Sequence, residues 1–284
     1  MNRSTFLRSF ITSTWLGWQI ESNWADPFLF LVYSIVKPLA GAGIIIVMYG
    51  VISKGNFDTP LFTYIYIGNA FYQYVAMVMT GVSWAVIDDR EHYKTLKYIY
   101  TAPVSVPWYL LGRGVSRFLI ATFSVAVTIV FGVIFLHLPI QIQTIQWPLL
   151  IASILVGVIM LSLIGVLLAG ITLLTVRQSF FIGDVVAGVF FLFCGVIFPI
   201  ELLPPALQTI GRLLPVTYWI ELVRRAMVGQ IAEAFPTFSG ITEARLFAIL
   251  VGLTIIYGVI SIIVWKICDR SAREQGLIDW TSNY

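Results

Sequence analysis

Six of the ten residues from Asp88 to Lys97 carry charge, in a 284-residue chain where charged side chains make up only 11%. Asp88, Asp89, Arg90, Glu91, Lys94 and Lys97 give that stretch the makings of an electrostatic surface. A second chemical feature is Lys37-Pro38, set inside an apolar run. A third is the aromatic series Tyr64, Tyr66, Phe71, Tyr72 and Tyr74. The fourth groups Glu201, Glu221, Arg224 and Arg225 with prolines at 204, 205 and 215. None of these supplies a recognisable catalytic set. His92 and His137, the only histidines, sit in no HExxH or nucleophile–base pattern. GVSWA at 81–85 lacks the second glycine of a nucleophile elbow. There is no GxxxxGK[ST] run to hold a nucleotide, and Cys194 and Cys268 suggest neither a disulfide nor a metal site.

The surrounding elements are written in the hydropathy. The chain is 59% hydrophobic with a mean hydropathy of +0.91, too apolar for a soluble domain. The pattern predicts an all-α polytopic membrane protein with six spans, at about 28–50, 61–87, 108–137, 147–175, 180–199 and 245–267. Asp26 caps the first and Pro27 occupies its first turn. Six spans put both termini on one side, and the termini-side segments then carry eleven of the 17 basic residues. That bias predicts cytoplasmic termini and an intracellular 88–101 loop. Residues 1–26 read as an interfacial helix. Phe6, Leu7, Phe10, Ile11, Trp15 and Trp18 share one half of its wheel, with Arg8, Thr12, Gln19 and Asn23 on the other. Thr14 and Glu21 break the pattern. Residues 27–284 form the six-helix domain. Between spans five and six, prolines divide 200–231 into two short helices, a re-entrant hairpin or a lid at the outer surface.

Few acids lie in the spans and no filter-like loop appears, so neither a channel nor a secondary transporter is well supported. Active transport by this chain would draw its energy from elsewhere. The 88–101 stretch reads as one capped helix: acids in its first turn, lysines further on, and Tyr93, Leu96 and Tyr100 along one face. It either docks a partner or lies as a connector on the membrane surface.

DDREHYKTLKYIYTAPVS resembles the cytoplasmic loop between spans two and three of type-2 ATP-binding-cassette (ABC-2, type V) exporter permeases. FPIELLPPALQTIGRLLPVTYWIELVRRAMVG resembles the same family's segment after span five. Asp89-Arg90-Glu91 stands where the family often has Glu-x-Glu before the threonine. The resemblance implies a permease subunit, itself no enzyme, in the cell membrane of a prokaryote. It would pair with a second copy or a related permease, and with separate ATPase subunits that bind ATP and magnesium. It also implies that residues 88–101 are the coupling helix, with Asp88, Asp89, Glu91, Tyr93, Lys94, Leu96, Lys97 and Tyr100 facing the ATPase. The 200–231 hairpin would close the outer mouth, making Glu201, Pro204, Pro215, Tyr218, Glu221, Arg224 and Arg225 gate candidates. An ATP-independent transporter or a structural membrane-assembly subunit is the rival reading; no nucleic acid is expected as partner.

Lys37, Tyr64, Phe71, Tyr72 and Tyr74 are the candidate substrate path. Lys37 lies about 14 Å into the first span, where an unpaired ammonium costs at least about 2.5–3.5 kcal/mol. It either faces a wet path and an anionic head group or pairs with Asp184. The tyrosine hydroxyls need partners or water; lining a cavity, packing spans together and facing lipid are all open. An amphipathic substrate, drug-like, lipid or lipid-linked glycan, is the resulting expectation. Glu221 stands three and four residues before Arg224 and Arg225, spacing that serves a gate or the helix itself.

Overall fold

The computed structural model describes residues 3–23, 26–175, 179–229, 237–278 and 280. Arg177 and the last two residues of the expected hairpin, 230–231, lie outside them. Most of the described chain is helical and no strand occurs there: α1 (Arg3–Asn23), α2 (Pro27–Ile52), α3 (Pro60–His92), α4 (Leu96–Thr101), α5 (Val106–Phe135), α6 (Trp147–Leu174), α7 (Ser179–Phe193), α8 (Pro205–Leu213), α9 (Pro215–Val228) and α10 (Glu243–Glu274). The architecture is an all-α polytopic membrane fold.

Five of the described helices, α2, α3, α5, α6 and α10, are long and apolar enough to cross a bilayer. The fifth expected span is shorter. α7 has 15 residues and ends at Phe193, six before the expected boundary. Gly195 takes a left-handed φ of +69° just beyond it, and Pro199 comes next, so the helix cannot continue. At 1.5 Å per residue α7 reaches about 22 Å, short of a hydrocarbon core of about 30 Å.

Helix starts obey the local chemistry. The Asp26 carboxylate accepts from the Phe28 amide at 3.3 Å and Thr59 Oγ1 accepts from the Phe62 amide at 3.3 Å, with a proline in the first turn of each helix. Pro38 sits within α2 without ending it. α3 is the central helix, buried along most of its length and flanked by α2, α5, α6, α7 and α9. It is α-helical apart from two π-helical stretches, Val75–Met79 and Asp88–His92. α6 packs along α10 on one side and against α3 and α9 on the other.

α1 lies along α5 through a stripe of small residues. Ser9 and Ser13 are buried, and Gly17 and Gly112 make the close approach possible. A Cβ on Gly112 would stand 2.5 Å from the Phe10 carbonyl oxygen, and one on Gly17 only 3.0 Å from Ser116 Cβ. Phe6 and Phe10 rest against Trp108, while Leu7, Ile11 and Trp15 point outward, 58–64% exposed. The apolar half expected for an interfacial helix is therefore split: part packs on the domain and part is left for the bilayer. The two residues that broke the pattern have local partners. Thr14 donates back to the Phe10 carbonyl at 2.9 Å, and Glu21 pairs with Arg117. Gly112→Leu should overpack this crossing, at about 1–3 kcal/mol; faster proteolysis within residues 3–23 of the purified variant would register it.

Candidate functional site

The expected single helix over 88–101 is corrected by the structure. α3 runs on through Asp88–His92 as a π-helical turn, the chain bends at 93–95, and α4 occupies only Leu96–Thr101. Lys94 sits at the bend with a left-handed φ of +53°. The acids consequently lie at the carbonyl end of a long helix, where the macrodipole opposes them, rather than at the amide end of a new one. Other groups compensate. Asp89, 2% exposed, accepts from Tyr109 Oη at 2.8 Å and from Thr95 Oγ1 at 3.2 Å. The Arg113 guanidinium, 1% exposed, lies within electrostatic reach of Asp89, Asp88 and Glu21 and donates to Tyr109 Oη at 3.5 Å. Arg90, also buried, pairs with Glu91 at 3.2 Å and donates to the Thr172 and Leu173 carbonyls, satisfying the C-terminal end of α6.

α4 is tied down as firmly. Leu96 is buried against α5 and α6, and Tyr100 donates to Asp269 near the end of α10 at 2.6 Å while Arg273 stacks over its ring. Burial pushes the Tyr100 hydroxyl up, and its bond to Asp269 adds to that. Tyr93, Leu96 and Tyr100 do not share a face: the bend leaves Tyr93 48% exposed beside Lys94, Lys97 and Tyr98. Asp89 and Leu96 face inward, and the exposed edge includes His92, Tyr93, Lys94, Lys97, Tyr98 and Thr101. The contact with Asp269 puts the end of α10 on the same side of the molecule as this edge, and a cleft of about 750 Å³ separates the edge from α1.

A second cleft, of about 660 Å³, runs beside α3. Asn69, Gln73, Ala76, Met77, Thr80, Trp84 and Asp88 form its α3 wall. From Asn69 to Asp88 that wall extends about 28 Å. α2 contributes Tyr33, Ser34 and Lys37, α7 contributes Asp184, α5 contributes Arg117, and α1 contributes Glu21. Glu21 and Arg117 form an ion pair; burial holds the Glu21 carboxyl above the usual carboxylate range, although Arg117 and Arg113 pull it down. Asp88 is 3.0 Å from His92 Nδ1. Lys37 lies over the Tyr33 ring at 5.1 Å and forms no ion pair with Asp184.

Of the expected path residues only Lys37 lines this cleft. The aromatic ones are packed inside the domain. Tyr64 bonds Thr237, Tyr72 donates to the Ala187 carbonyl, Tyr74 donates to Thr122, and Phe71 meets the edge of Trp219. Their hydroxyls find partners within the protein, which is what a buried tyrosine requires. The polar residues of α3 that do face the cleft, Asn69, Gln73 and Thr80, escaped the sequence reading because the aromatics are the louder signal.

The 200–231 region contains two helices divided at Pro215, with Pro204 just ahead of the first. α8 is largely exposed and α9 almost wholly buried. Arg224 donates to the carbonyls of Tyr64 (3.1 Å), Gly195 (2.8 Å) and Val196 (2.8 Å), with its guanidinium 3.6 Å from the Tyr64 ring centroid. It thus fastens α9 to α3 and to the turn after α7. Arg225 bonds Glu221 at 3.0 Å and the carbonyls of Thr237, Phe238 and Ile241. Glu221 is fully buried, with Arg224 at 3.9 Å. Glu201 accepts from the Phe238 amide at 3.0 Å, and Tyr218 stacks on Phe238, which holds a φ of +51°. Both roles open for Glu221, Arg224 and Arg225 in sequence thus widen: the arginines bond the backbone of several elements, so the cluster is a staple as much as a set of ion pairs.

Among the described residues no group of His, Cys, Asp and Glu could hold a metal ion. No curated protein matches the chain. The model of the ABC-2 type transporter family matches residues 9–228, a stretch that takes in most of α1, the α3–α4 bend, the cleft, and Arg224 and Arg225 of the staple. The chain belongs to the ABC-2 type transporter family and is a transmembrane permease of an ABC-type transporter.

Proposed function

We propose that this permease exports an amphipathic molecule by alternating access, driven by a separate ATPase that binds ATP and magnesium and docks on the exposed edge at 93–101. The observation that carries the reading is the anchorage of that edge. Tyr100 binds α10, Leu96 packs on α5 and α6, and the bend is bonded through Asp89 to α5. A partner pulling on α4 would therefore move three spans rather than a loose loop. The edge itself has the aromatic and basic character of a docking rim, with Tyr98 64% exposed between Lys97 and Thr101. Two copies, each contributing its cleft beside α3, would enclose the substrate. Termini, docking edge and ATPase would then all lie in the cytoplasm.

Co-purification with a candidate ABC ATPase subunit, followed by ATPase assays, tests this. Lys97→Glu together with Tyr98→Ala should weaken ATPase association at least tenfold while leaving the melting temperature of the permease unchanged, since both side chains are exposed. Normal association of that variant would remove the 93–101 edge as the docking surface, whereas a wild-type chain that associates with no ABC ATPase would point instead to an ATP-independent role.

A further inference from the structure

The cleft beside α3 carries ionisable groups from five elements: Glu21, Lys37, Asp88, Arg117 and Asp184. Three of them have ionic partners in the protein. Glu21 pairs with Arg117, and Asp88 pairs with His92. Lys37 and Asp184 are left. The lysine has only the Tyr33 ring beneath it, and the Asp184 carboxylate has no hydrogen bond or ion pair among the described residues. They stand on different helices, α2 and α7, that flank α3. A lone cation would leave Lys37 uncompensated and a lone anion would leave Asp184 so. Two unpaired opposite charges in one cleft are costly to enclose, and a ligand bearing both signs relieves both at once.

The rest of the lining suits an amphiphile. Asn69, Gln73, Ser34 and Thr80 offer neutral hydrogen-bonding groups, and Phe30, Tyr33, Met77 and Trp84 offer apolar and aromatic surface. About 660 Å³ falls within the range of small-molecule sites, roughly 300–1,000 Å³. Exposed Phe181, Val185 and Val189 on α7, with Leu29 and Val36 on α2, provide an apolar setting for a hydrocarbon tail.

Resting on the export reading, we infer that the substrate head group is zwitterionic, its phosphate or carboxylate meeting Lys37 and its amine meeting Asp184. This narrows the expectation of an anionic head group, which took account of Lys37 alone. Head-group binding needs no ATPase, so its failure leaves the export reading standing, and loss of ATPase association leaves this inference standing.

The test is binding of labelled lysophosphatidylethanolamine and lysophosphatidylglycerol to the purified full-length protein in a non-ionic detergent. Free phosphoethanolamine serves as a third probe, to separate a lipid head group from a soluble zwitterion. Wild type should bind the ethanolamine lipid at least tenfold more tightly than the glycerol lipid. Asp184→Asn should erase that preference, and Lys37→Met should weaken both lipids, with Lys37→Arg restoring them. Binding of phosphoethanolamine as tight as the lipid would keep the zwitterion and remove the tail. Equal binding of the two lipids by wild type, or an unchanged preference in a folded Asp184→Asn protein, overturns the inference.

Discussion

Asp89→Ala is expected to lower stability by about 3–5 kcal/mol, because it leaves the buried Arg113 guanidinium without a buried carboxylate that helps to balance it. Tyr109 and Thr95 lose their acceptor in the same step, so the bend at 93–95 comes away from α5. Graded variants separate the contributions. Tyr109→Phe removes one hydrogen bond to a charged group, worth about 1.5–3 kcal/mol. Asp89→Asn keeps an oxygen acceptor but not the charge and should fall between the two. Thermal unfolding of the purified permease reads all three, and ATPase stimulation in the assembled transporter reads the coupling. An Asp89→Ala protein that melts with the parent would show that the bend is held by Leu96 and Tyr100 alone.

Arg224→Leu is expected to be comparably severe, again about 3–5 kcal/mol, for a different reason. The guanidinium gathers three carbonyl oxygens from two separate segments and lies on the Tyr64 ring, while helping to neutralise the fully buried Glu221. Its loss leaves those acceptors buried and Glu221 reliant on Arg225. Lysine should recover less than half, because one ammonium on a flexible stem cannot reproduce a planar fork bonded on several sides. Glu201→Gln is the contrast: the amide oxygen still accepts from the Phe238 amide, so the melting temperature should hardly move. Scanning calorimetry of the three variants checks the order.

The apolar runs made the membrane fold legible in the sequence, since about 20 uncharged residues in succession have few other uses. Pro205 and Pro215 gave the divisions of the 200–231 region for the same reason: proline tolerates only the start of a helix. The 88–101 stretch misled because its acids suit the amide end of a new helix, whereas buried partners hold them at the carbonyl end of a preceding one. Only their contacts with Tyr109, Thr95 and Arg113, up to 24 residues later in the chain, show which end they occupy. Tyr109 and Arg113, four residues apart at the head of α5, were a signal in principle, as an arginine within an apolar run asks for a partner. The aromatic residues of α3 misled in the opposite sense. A tyrosine in a span announces that it needs a hydrogen bond, and its sequence does not say whether that bond is to a ligand or to the next helix.

The two π-helical stretches of α3 give that helix a property the others lack. Each widened turn holds an extra residue, as though one amino acid had been inserted into an α-helix, and so rotates the residues beyond it by about 100° around the axis. The part of α3 clasped by Arg224 at Tyr64 and the part that carries Asp89 are thus phased separately. A single-residue deletion between Val75 and Met79 is the change that would return that stretch to α-helical geometry and rotate Asp89 relative to the part clasped by Arg224.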